Sequence, residues 1–427
     1  MKLLIKNGHV VSPANNLDAA VDVLIDGNKI SKIGKNLKDN ADSSIDALGK
    51  IVMPGVVDMH VHLREPGRED KETVGSGTLA AIHGGVTSVL PMANTLVCID
   101  CVENVKLLKN IIAKSAKANV YLCAAITKSR EGKELMNFAR LKKEGVIALS
   151  DDGASIDSDE VMLKALKKAK DCKMLVLCHS EDKALSANGV VNLGFTSTKM
   201  GLRGISKESE YKRIERDISL AQKAGAPIHI THISCLESVA AIARAKTKGV
   251  KVTADTAPHY FALSEEDVWS YDANMKMNPP LRTKEDVTAI REALKSGVID
   301  AIASDHAPHT ENEKEIEFER AEFGVIGLET ILSAGITYLV GQTVLDMNEL
   351  VKKLCVNPAK ILGIKKGAIE PGYDADIAIV SKDKEWLVKK SCFVSRSKNS
   401  AFLGKNLKGV VDYTILSGKI AYANVNK

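Results

Sequence analysis

Between residues 56 and 305 the chain repeats one pattern eight times, a short apolar run followed by a Lys/Glu/Ala-rich stretch of helical period. The runs fall at 56–62, 88–94, 120–126, 146–152, 174–180, 228–233, 250–255 and 299–305. Short apolar runs alternating with helical stretches are βα units, and successive βα units build a parallel sheet covered on both faces. Eight such units are the number that closes a (β/α)8 barrel. An open doubly wound sheet has no need of eight, and no G-x-G-x-x-G follows the first run. The expected fold class is therefore α/β, with a TIM-type barrel at its centre.

The two ends have a different texture. Residues 3–8, 20–27 and 29–34 read as short strands with turn signals, and the same texture returns at 374–380 and 411–418. The ends are expected to pair into one small β-sandwich domain, residues 1–53 plus 365–427, flanking a catalytic barrel of residues 54–364. With 45% hydrophobic residues such a chain can bury a sizeable core, and with only 4% aromatics that core must be aliphatic.

Lys and Arg exceed Asp and Glu by 59 to 54 with no basic block, which argues against a nucleic-acid partner. No run approaches the roughly 18 apolar residues of a spanning helix, and Lys6 interrupts the start too early for a signal segment. No membrane association is expected. The eight cysteines are scattered, mostly in aliphatic runs, and read as reduced core thiols of a cytoplasmic protein. Cys98 and Cys101 have CxxC spacing but no second pair, so core or loop thiols are the expectation.

The polar residues of the eight runs gather at their C-terminal ends, namely His60 and His62, Asn94, Asp151 and Asp152, His179, His232 and Asp305. In a parallel barrel those ends form one rim, where barrel enzymes carry their chemistry. Residues two apart on a strand share a face roughly 6 to 7 Å apart at Cα, so the imidazoles of His60 and His62 can reach one cation. His179, His232 and Asp305 ending three other strands turn a modest His-x-His signal into a metal site. Nitrogen and oxygen donors without thiolate suit Zn²⁺, Mn²⁺, Co²⁺ or Fe²⁺. Zinc is expected for hydrolysis, because it acidifies water and polarises carbonyls. Asp305 is a further ligand, a general base, or both. Strand alternation admits only one of Asp151 and Asp152 to the interior. His9, His83 and His229 read as structural histidines, and His259, just after the seventh run, stands near the rim.

Asp58-Met-His-Val-His-Leu-Arg-Glu-Pro-Gly67 resembles the signature of the dihydroorotases of the amidohydrolase superfamily, and Ser304-Asp-His-Ala-Pro-His309 resembles their second signature. The terminal segments, including Asn357-Pro-Ala-Lys360 and residues 367–380, are similar to the superfamily's composite small domain. The resemblance implies reversible cyclisation of N-carbamoyl-L-aspartate to L-dihydroorotate in pyrimidine biosynthesis. Matched by position, His60, His62 and Asp305 would hold one metal and His179 and His232 a second, with Asp152 between them. His62, Arg64, Asn94, Asn278 and His309 would contact substrate, with Phe323 and Gly324 over the ring. Asp305 would take the proton of the attacking water and hand it to the departing nitrogen. A guanidinium fork at Arg64 suits the substrate carboxylate.

Hydantoinases, dihydropyrimidinases and allantoinases usually carry a carboxylated lysine at the end of strand four. Here that end is Leu149-Ser-Asp-Asp-Gly153, with Lys142 and Lys143 before the strand. The pattern resembles type I dihydroorotases, in which an aspartate stands there, and the family position favours Asp152. One or two ions per chain fit it. Rivals are those related cyclic amidohydrolases and an inactive scaffold for aspartate transcarbamoylase, against which the intact His and Asp set argues. A homodimer is expected, and association with aspartate transcarbamoylase is a further partner to test. Residues 307–324, with six glutamates before Phe323, read as a lid that orders on ligand binding.

Overall fold

All eight runs contain strands in the computed structural model, which describes residues 1–424. They are Val56–Val61, Val86–Pro91, Leu122–Ala124, Val146–Leu149, Leu175–Cys178, Ile228–Ile230, Val252–Thr256 and Ala301–Ile302. The third run begins one residue pair earlier, at Asn119–Val120, which carries the ladder from the second strand. Each neighbour is paired in parallel, in chain order. A parallel bridge from Val61 to His306, with His62 N donating to His306 O at 2.8 Å, joins the eighth strand to the first and closes the (β/α)8 barrel.

The barrel is filled as the apolar runs require. Val57, Met59, Leu90, Met92, Cys123, Ala148, Leu177, Ala301 and Ala303 form one buried cluster, with Ala359 and Leu362 of the helix Asn357–Leu362 packed against it. The outer helices obey the same economy of pattern. In Asp159–Asp171, Ser158 accepts from Val161 N, acidic residues start the helix and Lys168 and Lys170 end it. Met162, Ala165, Leu166 and Ala169 are buried at helical spacing, each large one worth about 1.5–3 kcal/mol, while the intervening lysines stay in water.

The two chain ends share one eight-stranded sheet. Ile377–Leu387 runs antiparallel to Ile51–Pro54, and on either side lie strands drawn from only one end of the chain. Alternation along Ile377–Val380 explains how this small β-sandwich sits on the barrel. Ile377 and Ile379 enter the sandwich core with Leu3, Val23 and Val52, whereas Ala378 and Val380 join the barrel cluster. Between Ile377–Leu387 and Asn406–Leu416 the chain leaves the sheet, and Val388, Phe393 and Phe402 pack with Tyr260, Met277, Phe318 and Val325 of the barrel loops. No described helix is long and apolar enough to cross a membrane.

Candidate active site

Ladder pairing stops before the polar ends of the runs, so Asp152, His179, His232 and Asp305 project from the rim just beyond the last strand residue. All of them, with His60 and His62, are buried and converge. His60 Nε2 lies 3.3 Å from Asp152 Oδ1 and 3.5 Å from Asp305 Oδ1, and His62 Nε2 lies 3.2 Å from Asp305 Oδ1. His179 Nδ1 faces His232 Nε2 at 2.9 Å and Asp152 Oδ1 at 3.8 Å. Among the described residues two sets of potential ligands form, His60, His62 and Asp305 on one side and His60, Asp152 and His232 on the other.

The donor set fits a divalent cation on its own chemistry. His60 Nδ1, His60 Nε2 and Asp152 Oδ1 are buried yet have no hydrogen-bond partner among the described residues, a costly arrangement for groups aimed at one another unless something charged lies between them. The ring tautomers point the same way. His62 Nδ1 donates to Asn94 Oδ1 at 3.0 Å and His179 Nε2 to Glu181 Oε2 at 3.4 Å, which turns the other nitrogen of each ring, as a lone pair, toward the cluster. Burial presses His60 down, but Asp152, then Asp305 and Asp255, outweigh it and raise the imidazole to about 10. Burial opposes ionisation of Asp152 and Asp305, and His60 foremost holds both carboxyls below the ordinary range. The two carboxylates thus draw positive charge to the centre of the cluster, the role a divalent cation would fill.

Asp151 is occupied elsewhere. Its Oδ1 accepts from Ile126 N at 2.8 Å and Thr127 N at 3.1 Å, and its Oδ2 from the Thr127 hydroxyl, while Asp152 faces the histidines. Lys142, at the end of the helix Phe138–Lys143, donates to Lys173 O, away from the cluster. His229 Nε2 pairs with Asp255 Oδ2 at 2.9 Å, and Asp255 Oδ1 in turn accepts from His232 N, so this histidine steadies a neighbour. Asp58 Oδ1 accepts from His60 N at 3.2 Å and Ser304 N at 3.1 Å and ties strand one to strand eight; burial raises its carboxyl to about 6. His259 is buried, its Nε2 has no hydrogen-bond partner among the described residues, and burial lowers it to about 4.

Beside the cluster opens a cleft of about 550 Å³, lined among others by Arg64, Arg68, Lys71, Asn94 and Arg130. Arg64 has φ +61°, and its Nε donates to Pro308 O at 3.0 Å. Lys71 Nζ donates to His309 Nδ1 at 3.0 Å, leaving His309 Nε2 to donate to Phe323 O at 2.8 Å. Burial, then Arg64 and Lys71, keep that imidazole well below its usual range and neutral. Asn94 Nδ2 reaches Asp152 Oδ2 at 3.1 Å, and Asn278 Nδ2 reaches Glu181 Oε2 at 3.2 Å. The segment expected as a lid contains the short helix Glu311–Lys314, and buried Lys276 and Lys314 fasten it through carbonyls of Glu319, Ala321, Glu322 and Gly324.

Three residues of this surface escape the strand-end pattern. Glu181 stands two places after His179, a spacing that was readable, and its carboxylate joins His179 to Asn278. Arg130 donates from Nη1 to Asp152 O at 2.7 Å from a left-handed turn, and Lys71 reaches His309 from a loop, neither with a local sequence signal.

Against known proteins, the dihydro-orotase-like family model matches residues 49–238. A dihydroorotase of Elusimicrobium minutum is 50% identical over 424 residues, 99% of this chain and 98% of its own length. One from Geotalea daltonii is 46% identical over 427 residues, covering 99% of each. Among solved structures, an L-hydantoinase (dihydropyrimidinase) from Arthrobacter aurescens superposes with a TM-score of 0.89 at 25% identity, over 98% of this chain and 95% of that one. A dihydropyrimidinase from Brevibacillus agri gives 0.88 at 26% identity, over 99% and 95%.

Proposed function

This chain belongs to the dihydroorotase family, and from that premise we propose how its residues divide the reaction. It is a metal-dependent cyclic amide hydrolase that interconverts N-carbamoyl-L-aspartate and L-dihydroorotate. The observation that carries the assignment is the junction of two chemistries at one rim, a buried His/Asp cluster suited to a divalent ion and, against it, a cationic cleft suited to an acidic substrate.

His60, His62, Asp152, His179, His232 and Asp305 would hold one or two ions, with zinc as the proposed metal, which when bound supplies Lewis acidity toward the carbonyl and acidifies water. Arg64 and Asn94 bind the substrate carboxylate, His309 packs against the ring, and the Phe323–Gly324 turn that His309 Nε2 holds covers it; Asn278 fixes the ring edge. In the hydrolytic direction water adds to the ring carbonyl, Asp305 takes its proton, the C–N bond breaks, and Asp305 returns the proton to the departing nitrogen. A carboxylate and a proton are released, so alkaline pH favours the open form. The reverse sequence closes the ring and expels water.

The proposed division of the chain is a composite β domain of residues 1–53 and 365–427 around a barrel of 54–364. A cytoplasmic homodimer, with association to aspartate transcarbamoylase as its partner contact, completes the proposal. Size-exclusion chromatography of the protein with and without that partner tests both contacts. The function is tested by metal analysis joined to kinetics on L-dihydroorotate and on uncharged hydantoin and dihydrouracil. Metal-dependent turnover of dihydroorotate alone is the expected result. Preference for the uncharged ureides would overturn the assignment of the cleft.

A further inference from the structure

The excursion between Ile377–Leu387 and Asn406–Leu416 brings Asn399 to the barrel rim, where it is 5% exposed. Its side-chain oxygen accepts from His309 N at 3.2 Å, and its amide donates to Ala307 O at 3.3 Å and Gly324 O at 3.1 Å. Its own carbonyl accepts from Ile326 N at 3.0 Å. One residue from the C-terminal excursion therefore holds two barrel segments, the loop after strand eight and the turn at 323–324. The partners demand one acceptor and two donors in a single planar group, which is the asparagine amide in one orientation only.

The two segments meet closely where Asn399 binds them. Gly324 sits at φ +121°, and a Cβ there would lie 2.6 Å from Ala307 Cβ. His309 Nε2 already spans the gap to Phe323 O. Removing Asn399 would leave the buried His309 N–H and the buried Ala307 carbonyl to find new partners, which they can do only if the segments move, while Gly324 O would keep only its bond from Lys314 Nζ.

We propose that Asn399 is a positioning residue of the substrate site, setting the separation of His309 from the Phe323–Gly324 turn and thereby the fit of the ring between them. The inference rests on the reading that His309 and this turn contact substrate. Asn399 itself touches no substrate; it acts through main-chain groups of residues that do. Asn399→Asp keeps the shape and the bond from His309 N but sets a carboxylate oxygen against two carbonyls, whereas Asn399→Leu removes all three side-chain bonds.

The test is steady-state kinetics on L-dihydroorotate with metal-loaded protein carrying Asn399→Leu, Asn399→Asp, His309→Ala, or His309→Ala with Asn399→Leu. Metal content and Tm are read in parallel. Asn399→Leu should raise KM on the order of tenfold, by more than kcat falls, at unchanged metal content. The double variant should show less than the product of the single effects, because both act on one wall. A purely structural asparagine would lower Tm and leave KM alone. If Asn399→Leu fails to fold, Asn399→Asp decides, with the same rise expected. Unchanged KM in the folded Asn399 variants, with KM raised in His309→Ala, overturns the role of Asn399 alone. Unchanged KM in His309→Ala overturns the reading of the wall, and the inference with it.

Discussion

Asp151 and Asp152 are chemically identical neighbours, and replacing each in turn separates scaffold from chemistry. Asp151 accepts three hydrogen bonds, from Ile126 N, Thr127 N and the Thr127 hydroxyl. Bonds to a charged acceptor contribute about 1.5–3 kcal/mol each, and Asp151→Ala would leave two N–H groups without a partner. Burial raises the Asp151 carboxyl, so its removal returns part of that sum and leaves a loss on the order of 3 kcal/mol. With an unfolding entropy of about 2.1 cal/mol/K per residue over 427 residues, that is a fall in Tm of about 3 °C. Metal affinity should be nearly unchanged. Asp152 has an unpartnered Oδ1 facing His60 Nε2, so Asp152→Asn removes a ligand charge without orphaning a backbone group. Metal affinity should fall by more than about 100-fold and turnover with it. Calorimetry of chelator-stripped protein gives the Tm, and competition with a chromophoric chelator the metal affinity. Metal loss at unchanged Tm in Asp151→Ala, together with full metal content in Asp152→Asn, would show the roles to be reversed.

Arg64→Lys keeps the charge but loses the fork and the bond to Pro308 O; kcat/KM for dihydroorotate should fall about 10- to 100-fold with no loss on uncharged ureides, and equal losses on both would remove Arg64 as carboxylate anchor. Glu181→Gln deprives His179 of its carboxylate partner and should weaken metal binding about 10- to 100-fold in a chelator titration; wild-type affinity would reduce Glu181 to a bystander. Burial raises the Glu329 carboxyl to about 7 against its bonds from Val394 N and Ser395 N. Its folded pKa lies above the unfolded value, so its contribution to stability is full below about 4.5 and lost as pH rises through about 7. Glu329→Gln should therefore gain stability relative to wild type at pH 8 compared with pH 5.5, by on the order of 2 kcal/mol in denaturant unfolding, and a pH-independent difference would contradict this.

The strands were legible because a parallel barrel buries both faces, which writes each strand as an unbroken apolar run ended by its polar rim residue. The rim histidines were legible for the same reason. Asp151 and Asp152 were not separable by alternation, since the strand ends at Leu149 and the chain beyond it is irregular. Glu181 and Asn278 lie 97 residues apart, and Asn399 lies 75 to 92 from its side-chain partners, so no local pattern could join them. Arg64, His232 and Asp305 all have left-handed φ, between +42° and +61°. Such backbone costs about 1–3 kcal/mol at a non-glycine residue and is set by surrounding packing rather than by local preference.

The shared terminal sheet has a consequence for how the chain is made. Ile51–Pro54 is made some 320 residues before its antiparallel neighbour Ile377–Leu387, and strand one waits about 245 residues for the Val61–His306 bridge that seals the barrel. Both closures are contacts of high sequence separation, which form slowly because a long loop must first be gathered. Through most of synthesis, then, the nascent protein carries two open β-edges, the kind of surface that recruits other chains. Folding of this chain should therefore be most exposed to misassociation until Ile377–Leu387 pairs with Ile51–Pro54.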